Sequence, residues 1–375
     1  MYKSALLAFS LLSVSAPSFA QDVIESEQAR FQIETVAEGL AFPWSLAFID
    51  ETTLLVSERD GFMRLIKNGV VQPRLANTPE AFVSRQAGMF DIALAPDFAE
   101  SGMIYFSFAQ GDADNNHTTL AKARLNIEAN ALEKVEIIYT AHPDKRRALH
   151  FGGRIAVMRD GTLLLSIGEG YIHMQEAQNP QVSFGKLIRI NPDGSIPADN
   201  PFADGVNGAP EVYSYGHRNP QGLALHPDTG AIWMHEHGPR GGDEINIITP
   251  GTNYGWPLIT YGIDYSGEII TEDRTGPGMV EPIWYWVPSI APSGMTFYQG
   301  EAFPEWQGDL FVGALAGSKI ERFELDGDRI ISTEELLFDE LGERIRDVRT
   351  GPDGYLYALI DDAEGRIIRL VPAGD

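Results

Sequence analysis

The 375-residue chain contains no cysteine, so no disulfide staples its fold and no thiol acts as nucleophile or metal ligand. Basic residues are scarce: 28 Lys and Arg face 53 Asp and Glu, and 53 − 28 = 25 gives a net charge of −25. A field of that sign repels phosphate backbones and anionic lipid surfaces, which argues against a nucleic-acid partner. Beyond the N-terminus no apolar run reaches about 18 residues, the length of a spanning helix, so membrane insertion is not expected. Long helical periodicity is missing too: past the first twenty residues, no stretch of 12 or more repeats its apolar positions every 3.6 residues. Turn formers are plentiful, with 38 Gly and 23 Pro, and they suit many short strands.

The N-terminus reads as a cleavable signal peptide. Lys3 supplies the positive start, Ala5 to Val14 the short apolar stretch, and Ser18-Phe19-Ala20 a small-x-small cleavage site. Residues 1–20 are therefore set aside, leaving a mature chain of 375 − 20 = 355 residues, 21–375, expected in the periplasm or outside the cell.

One phrase recurs along the mature chain: a turn with Pro, Asp or Gly, then an alternating β-rich run. It appears at Asp50 before Thr53 to Val56, at Asp97 before Met103 to Phe106, and at Asp160 before Thr162 to Leu165. It returns at Asp228 before Ala231 to Met234, at Asp309 before Leu310 to Val312, and at Asp353 before Tyr355 to Ala358. The six aspartates are 47, 63, 68, 81 and 44 residues apart, each gap long enough for one four-stranded blade with inserted loops. An all-β, six-bladed β-propeller forming a single domain over 21–375 is the natural reading. A β-sandwich or two smaller β domains is the competing one. In a propeller, loops distant in sequence converge at one end of the central channel and can build one site.

Four loops are unusually rich in Gly, His, Arg and acidic residues. In His150-Phe151-Gly152-Gly153-Arg154 the glycines permit close approach and His150 has the pKa range of a general base. In Gly216-His217-Arg218-Asn219-Pro220-Gln221-Gly222, Arg218 offers a rigid fork for a carboxylate or developing oxyanion. His235-Glu236-His237-Gly238-Pro239-Arg240-Gly241-Gly242-Asp243-Glu244 first suggests zinc, but no third nitrogen ligand is placed by the pattern. Calcium fits better, with carbonyls from Gly238 and Pro239 and charge from Asp243 and Glu244; Asn253 to Pro257 lies close enough to share an ion with Glu244. Arg344 and Arg346 are two apart, so in a strand both face one way, towards a polyanionic ligand. Each loop also has a plain reading, as a hydrogen-bonding histidine, an arginine tying blades together, a polar turn, or a solubilising pair.

Taken in order, these segments, together with Gln86-Ala87-Gly88-Met89-Phe90-Asp91, resemble the soluble quinoprotein aldose sugar dehydrogenases, over about Gly39 to Leu370. Members of that family are six-bladed propellers that use pyrroloquinoline quinone (PQQ) and Ca²⁺. The resemblance implies an enzyme oxidising the C1 hydroxyl of an aldose to a lactone and passing electrons to an external acceptor. It assigns His150 as the base, with Gln86 and Tyr265 lining the substrate pocket. Arg218 and Asn219 become cofactor contacts, Arg218 also stabilising charge on the quinone oxygen, and Arg344 and Arg346 hold the cofactor carboxylates. Gly238 and Pro239 match the ligands of one calcium; Glu244 and the carbonyl of Tyr254 match a second, with Asp264 a further candidate. Two positions depart from the family pattern. The family's cofactor-contacting Lys is replaced near Ala316, with Lys319 the nearest basic residue, and the acidic neighbour before the base is Leu149. Two other functions stay open: a calcium-dependent, lactonase-like hydrolase, and a non-catalytic sugar-binding propeller.

Overall fold

The computed structural model describes residues 23–374 and contains one five-stranded and five four-stranded antiparallel sheets. The expected leader, residues 1–20, lies outside the described residues. Among the described residues no helix is long and apolar enough to cross a membrane.

Six strands form the inner ring, one from each blade: Pro43–Phe48, Met89–Leu94, Ile155–Val157, Pro220–Leu225, Pro292–Phe297 and Ile345–Thr350. Each repeated aspartate falls in the turn between its inner strand and the next one out. The reason is local. Asp50 Oδ1 accepts from the Thr52 and Thr53 N–H groups at 2.8 Å, and Asp160 Oδ1 from Thr162 N–H at 2.9 Å, closing the turn with a side chain.

The second strands differ from the alternating pattern expected. Leu163–Ile167, Leu310–Ala314 and Leu356–Ile360 are buried at every position. Each blade packs against a neighbour on both faces, so both sides of such a strand need apolar residues. Between the first two blades the packing is Leu55, Met63 and Leu65 against Met89, Phe106 and Phe108. The sixth blade is shared by both ends of the chain: Arg30–Leu40 pairs with Gly365–Pro372, from Phe31↔Pro372 to Leu40↔Gly365. This pairing closes the ring.

The channel is plugged by charge. Arg154 Nη1 lies 3.0 Å from Asp347 Oδ1 and 3.6 Å from Asp91 Oδ1. Arg349 bridges the same two carboxylates, at 2.9 Å to Asp347 Oδ2 and 3.1 Å to Asp91 Oδ1. Asp91 also accepts from Ser45 Oγ–H at 2.5 Å and Ile155 N–H at 2.9 Å, while Arg154 donates to the carbonyls of Gln221 at 2.7 Å and Arg346 at 3.2 Å. Five of the six blades meet through these groups. Asp91, Arg154 and Asp347 are almost wholly excluded from solvent, so removing one partner strands an opposite charge in the interior. Arg154→Leu is expected to lower unfolding free energy by about 3–5 kcal/mol, read from urea denaturation. Arg329→Ala, which breaks an exposed pair with Asp326, is expected to leave the midpoint unchanged.

Candidate active site

At the N-terminal ends of the inner strands the channel opens into a cavity of about 250 Å³. Trp44, Phe90 and Phe151 supply aromatic walls, with ring centroids 5.6 and 5.4 Å apart in succession. Gln86, Asn219, Gln221, His237, Arg344 and Arg346 supply the polar lining. A chamber with aromatic walls and three arginines, Arg59, Arg344 and Arg346, suits a flat, anionic, conjugated molecule.

The two glycines after His150 are required by packing. Gly152 has φ 67° and a side chain there would meet the Ser166 carbonyl at 2.5 Å; Gly153 has φ 99° and would meet the Phe90 ring at 2.8 Å. This tight loop delivers His150, itself left-handed at φ 50° and buried. Gln86 Oε1 accepts from the His150 backbone N–H at 2.8 Å, so the predicted substrate contact also fixes the predicted base. The imidazole Nδ1 is 2.8 Å from Glu169 Oε1. An ionised Glu169 holds the proton on Nδ1 and leaves Nε2 as the free acceptor.

Glu169 was not found from sequence. The acid that orients the histidine comes from the loop after Leu163–Ile167, nineteen residues on, and not from the position before it. Its one signal is a lone carboxylate in Gly168-Glu169-Gly170; a side chain at Gly168 would strike the His150 carbonyl at 2.4 Å. Burial pushes the Glu169 carboxyl up to about 7, against the pull of Arg218. Burial also drives His150 well below its ordinary value, helped by the charges of Arg218, His237 and Lys145. Lys145 is a second residue missed. Its buried ammonium donates to Asn116 Oδ1 at 2.8 Å and the Arg147 carbonyl at 3.0 Å, lies 3.4 Å from the Phe151 ring centre, and is lowered by burial to about 7.

The second and third loops meet on the opposite wall. Arg218 donates from Nη1 to the Gly238 carbonyl at 2.6 Å and the His237 carbonyl at 3.0 Å. Its guanidinium carbon sits 5.3 Å from the Trp256 ring centre and 5.8 Å from that of Tyr265. Asn219 Oδ1 accepts from Gly152 N–H at 3.2 Å, joining this wall to the histidine loop. Behind Arg218, Glu236 accepts from its backbone N–H and lies 3.0 Å from His217 Nδ1; His217 stacks on Tyr254 at 5.0 Å. Glu244 pairs with Glu236 across the sheet, and burial, reinforced by that neighbour, raises its carboxyl. Pro239 continues the turn in which Gly238 N–H donates to Asp243 Oδ1 at 2.8 Å. Asp264 is engaged in its own turn, accepting from Ser266 N–H at 2.8 Å, and lines a separate cavity. His235 and Asn246 are buried in the interior, His235 against the backbone of Ser293 and Asn246 against the carboxyl of Glu244.

Arg344 and Arg346 converge as the spacing predicted, and they share a carboxylate that sequence reasoning missed. Asp361 Oδ2 lies 2.9 Å from Arg344 Nη2 and 3.2 Å from Arg346 Nη2. Burial alone would raise the Asp361 carboxyl, but the two guanidiniums prevail and hold it below its ordinary value. One negative charge against two positive ones leaves a net cation at the cavity wall, and Arg346 Nε is buried without a partner. Lys319 does not join them: its ammonium is paired with Glu321 at 3.1 Å and with Glu335, and Leu315 takes the corresponding stretch of cavity wall.

Against known proteins, the family model for glucose/sorbosone dehydrogenases matches residues 40–369. The aldose sugar dehydrogenase YliI of Escherichia coli is 40% identical over 349 residues, which cover 92% of this chain and 94% of that protein. Among solved structures, the apo-form of the soluble aldose sugar dehydrogenase from Escherichia coli superposes with a TM-score of 0.88 at 39% identity, covering 92% of this chain and 100% of that one. The PQQ-bound aldose sugar dehydrogenase of Streptomyces coelicolor superposes at 0.73 with 28% identity, covering 92% and 99%. Fold, cavity and matches agree, and the chain belongs to the glucose/sorbosone dehydrogenase family, oxidoreductases that act on sugars.

Proposed function

We propose that this enzyme oxidises the C1 hydroxyl of aldoses to the lactone, with PQQ held in the hub cavity and His150 as general base. The observation that carries the reading is the buried His150–Glu169 pair beside a cavity walled by aromatic rings and by Arg344 and Arg346. PQQ, when bound, supplies the two-electron acceptor for the hydride leaving C1. The unpartnered Nε of Arg346 and the excess guanidinium over Asp361 fit its carboxylates. Calcium is assigned to the carbonyls of Gly238 and Pro239, and a second ion to Glu244 and the Tyr254 carbonyl. Asn246, two residues along the same strand, brings an amide oxygen beside the Glu244 carboxyl, which supports an oxygen-rich site there.

The chain's own residues do the rest. His150 Nε2 removes the proton from the anomeric hydroxyl. Glu169 steadies the imidazolium that results and keeps Nδ1 protonated beforehand. Arg218 and Asn219 orient the cofactor, while Gln86 and Tyr265 bound the sugar. Electrons then leave to an external acceptor. The leader-like residues 1–20 support action in the periplasm or outside the cell.

Reconstitution tests this directly. Apoprotein with PQQ and Ca²⁺ is expected to reduce a redox dye with aldoses, and His150→Ala to lose about 10²–10⁴-fold in kcat. Full activity in that variant, or none in the wild type across a broad aldose panel, refutes the proposal. In an absorbance titration, Arg346→Ala is expected to weaken PQQ binding by about ten- to a hundredfold, as loss of a charge-assisted contact implies.

The pH dependence follows from Glu169. Its carboxyl titrates at about 7; above that it is ionised and Nε2 is the free acceptor. Below it, the protonated acid donates to Nδ1, and the imidazole proton sits on Nε2 instead. Activity is therefore expected to fall as pH drops through about 7, and Glu169→Gln to flatten that limb and lower kcat. An unchanged acid limb in Glu169→Gln rejects this assignment.

A further inference from the structure

Four residues other than glycine in the segments that meet at His150 have left-handed backbones: Arg85 at φ 52°, Arg147 at 67°, His150 itself at 50° and Tyr171 at 72°. They come from three segments laced together. Gln86 N–H donates to the Ala148 carbonyl at 3.1 Å, and Lys145 reaches the Arg147 carbonyl. Such conformations persist in ordinary side chains only where the surroundings over-determine them, and they gather at functional sites.

Tyr171 is the member whose side chain points to a role. Its ring stands at 77° to the His150 imidazole, with centroids 5.2 Å apart. It is only half-buried, although it touches a histidine that is almost fully enclosed. Behind it the exposed Arg147 places its guanidinium carbon 5.7 Å from the ring centre. No carboxylate lies within ion-pair distance of Arg147 among the described residues, in a protein with nearly twice as many acidic as basic residues. An aromatic ring beside the base, backed by an uncommitted cation, is a recognition surface and not a packing element.

We propose that Tyr171, supported by Arg147, is a substrate-binding residue: the wall against which the aldose ring is laid while its C1 hydroxyl meets His150 Nε2. This rests on His150 being the base. The reducing end must lie within hydrogen-bond reach of the imidazole, so the rest of a pyranose ring falls within a few ångströms of it. Tyr171 is the aromatic side chain in ring contact with that imidazole. Its hydrocarbon face complements the C–H face of a pyranose, and Arg147 donates to ring hydroxyls at its rim. The pair thereby selects among aldoses, a task that the residues deeper in the hub, which hold the cofactor, do not perform.

The test compares Tyr171→Ala and Arg147→Ala with wild type after reconstitution with PQQ and Ca²⁺, using a panel of aldohexoses and aldopentoses. Tyr171→Ala is expected to raise KM about three- to tenfold, unequally across the panel, with kcat and the PQQ titration little changed. Arg147→Ala is expected to raise KM in the same direction by less. Ile172→Ala, an exposed neighbour on the same loop, serves as the control and is expected to leave KM alone. A Tyr171→Ala enzyme with wild-type KM for every sugar overturns the proposal. So does one that loses kcat and shifts its acid limb at constant KM, since that pattern belongs to a residue merely supporting the imidazole. Wild-type protein that binds PQQ but turns over no aldose strikes at the proposed reaction instead, and is seen before any variant is compared.

Discussion

Six strands that converge on one axis leave too little room for an apolar core and too much for a dry contact. The chain fills that space with Asp91, Arg154, Asp347 and Arg349, four charged groups that satisfy one another and the backbone of neighbouring blades. This constraint governs the rest. Arg154 also lies 4.1 Å below the Trp44 ring and donates to the Arg346 carbonyl, so the plug is the floor of the cavity above it. Three cavity residues are one or two positions along from a plug residue: Phe90 beside Asp91, Gly152 beside Gly153-Arg154, Arg346 beside Asp347. The motifs that read as chemistry in the sequence are thus half structural, and their density reflects two tasks on adjacent residues.

That doubling explains what could and could not be read in advance. The blade repeat was legible because Asp50, Asp160 and Asp353 act within their own turns, on N–H groups two or three residues away. The spacing of Arg344 and Arg346 was legible for the same reason. Glu169 and Asp361 were not, because each earns its meaning from a partner reached by folding: His150 lies across a strand and a loop, and the two arginines lie on the neighbouring strand. Lys145 had still less signal, since nothing in the run Lys145-Arg146-Arg147 distinguishes the one ammonium that is buried from the two exposed guanidiniums. Lys319 shows the converse. It is the nearest basic residue to the place where the family carries a Lys, but two carboxylates on its own sheet claim its charge.

Charge is distributed against the grain of the composition. A chain of net −25 lines one chamber with Arg59, Arg344 and Arg346, and sets Arg218 and Lys145 near the adjoining His150. The outer surface keeps the acidic excess in water, where it is screened. The chamber keeps the cations where screening is weak, which favours an anionic guest. Burial, reinforced by the same field, depresses His150 and leaves the imidazole neutral, so the chamber can hold an anion and keep a proton acceptor beside it without the two demands conflicting.

The arginine pair stands on the blade built from both ends of the chain. Arg344 and Arg346 open the strand Ile345–Thr350, Asp361 follows Leu356–Ile360, and the next strand out, Gly365–Pro372, is the one that zips to Arg30–Leu40. Opening the ring at its closure therefore loosens the carboxylate that aligns the two guanidiniums. Conversely, a ligand gripped by them stabilises only the closed ring, because in the opened chain the grip is gone. Closure of the ring and affinity for any ligand held by these two guanidiniums are thus a single equilibrium seen from two ends.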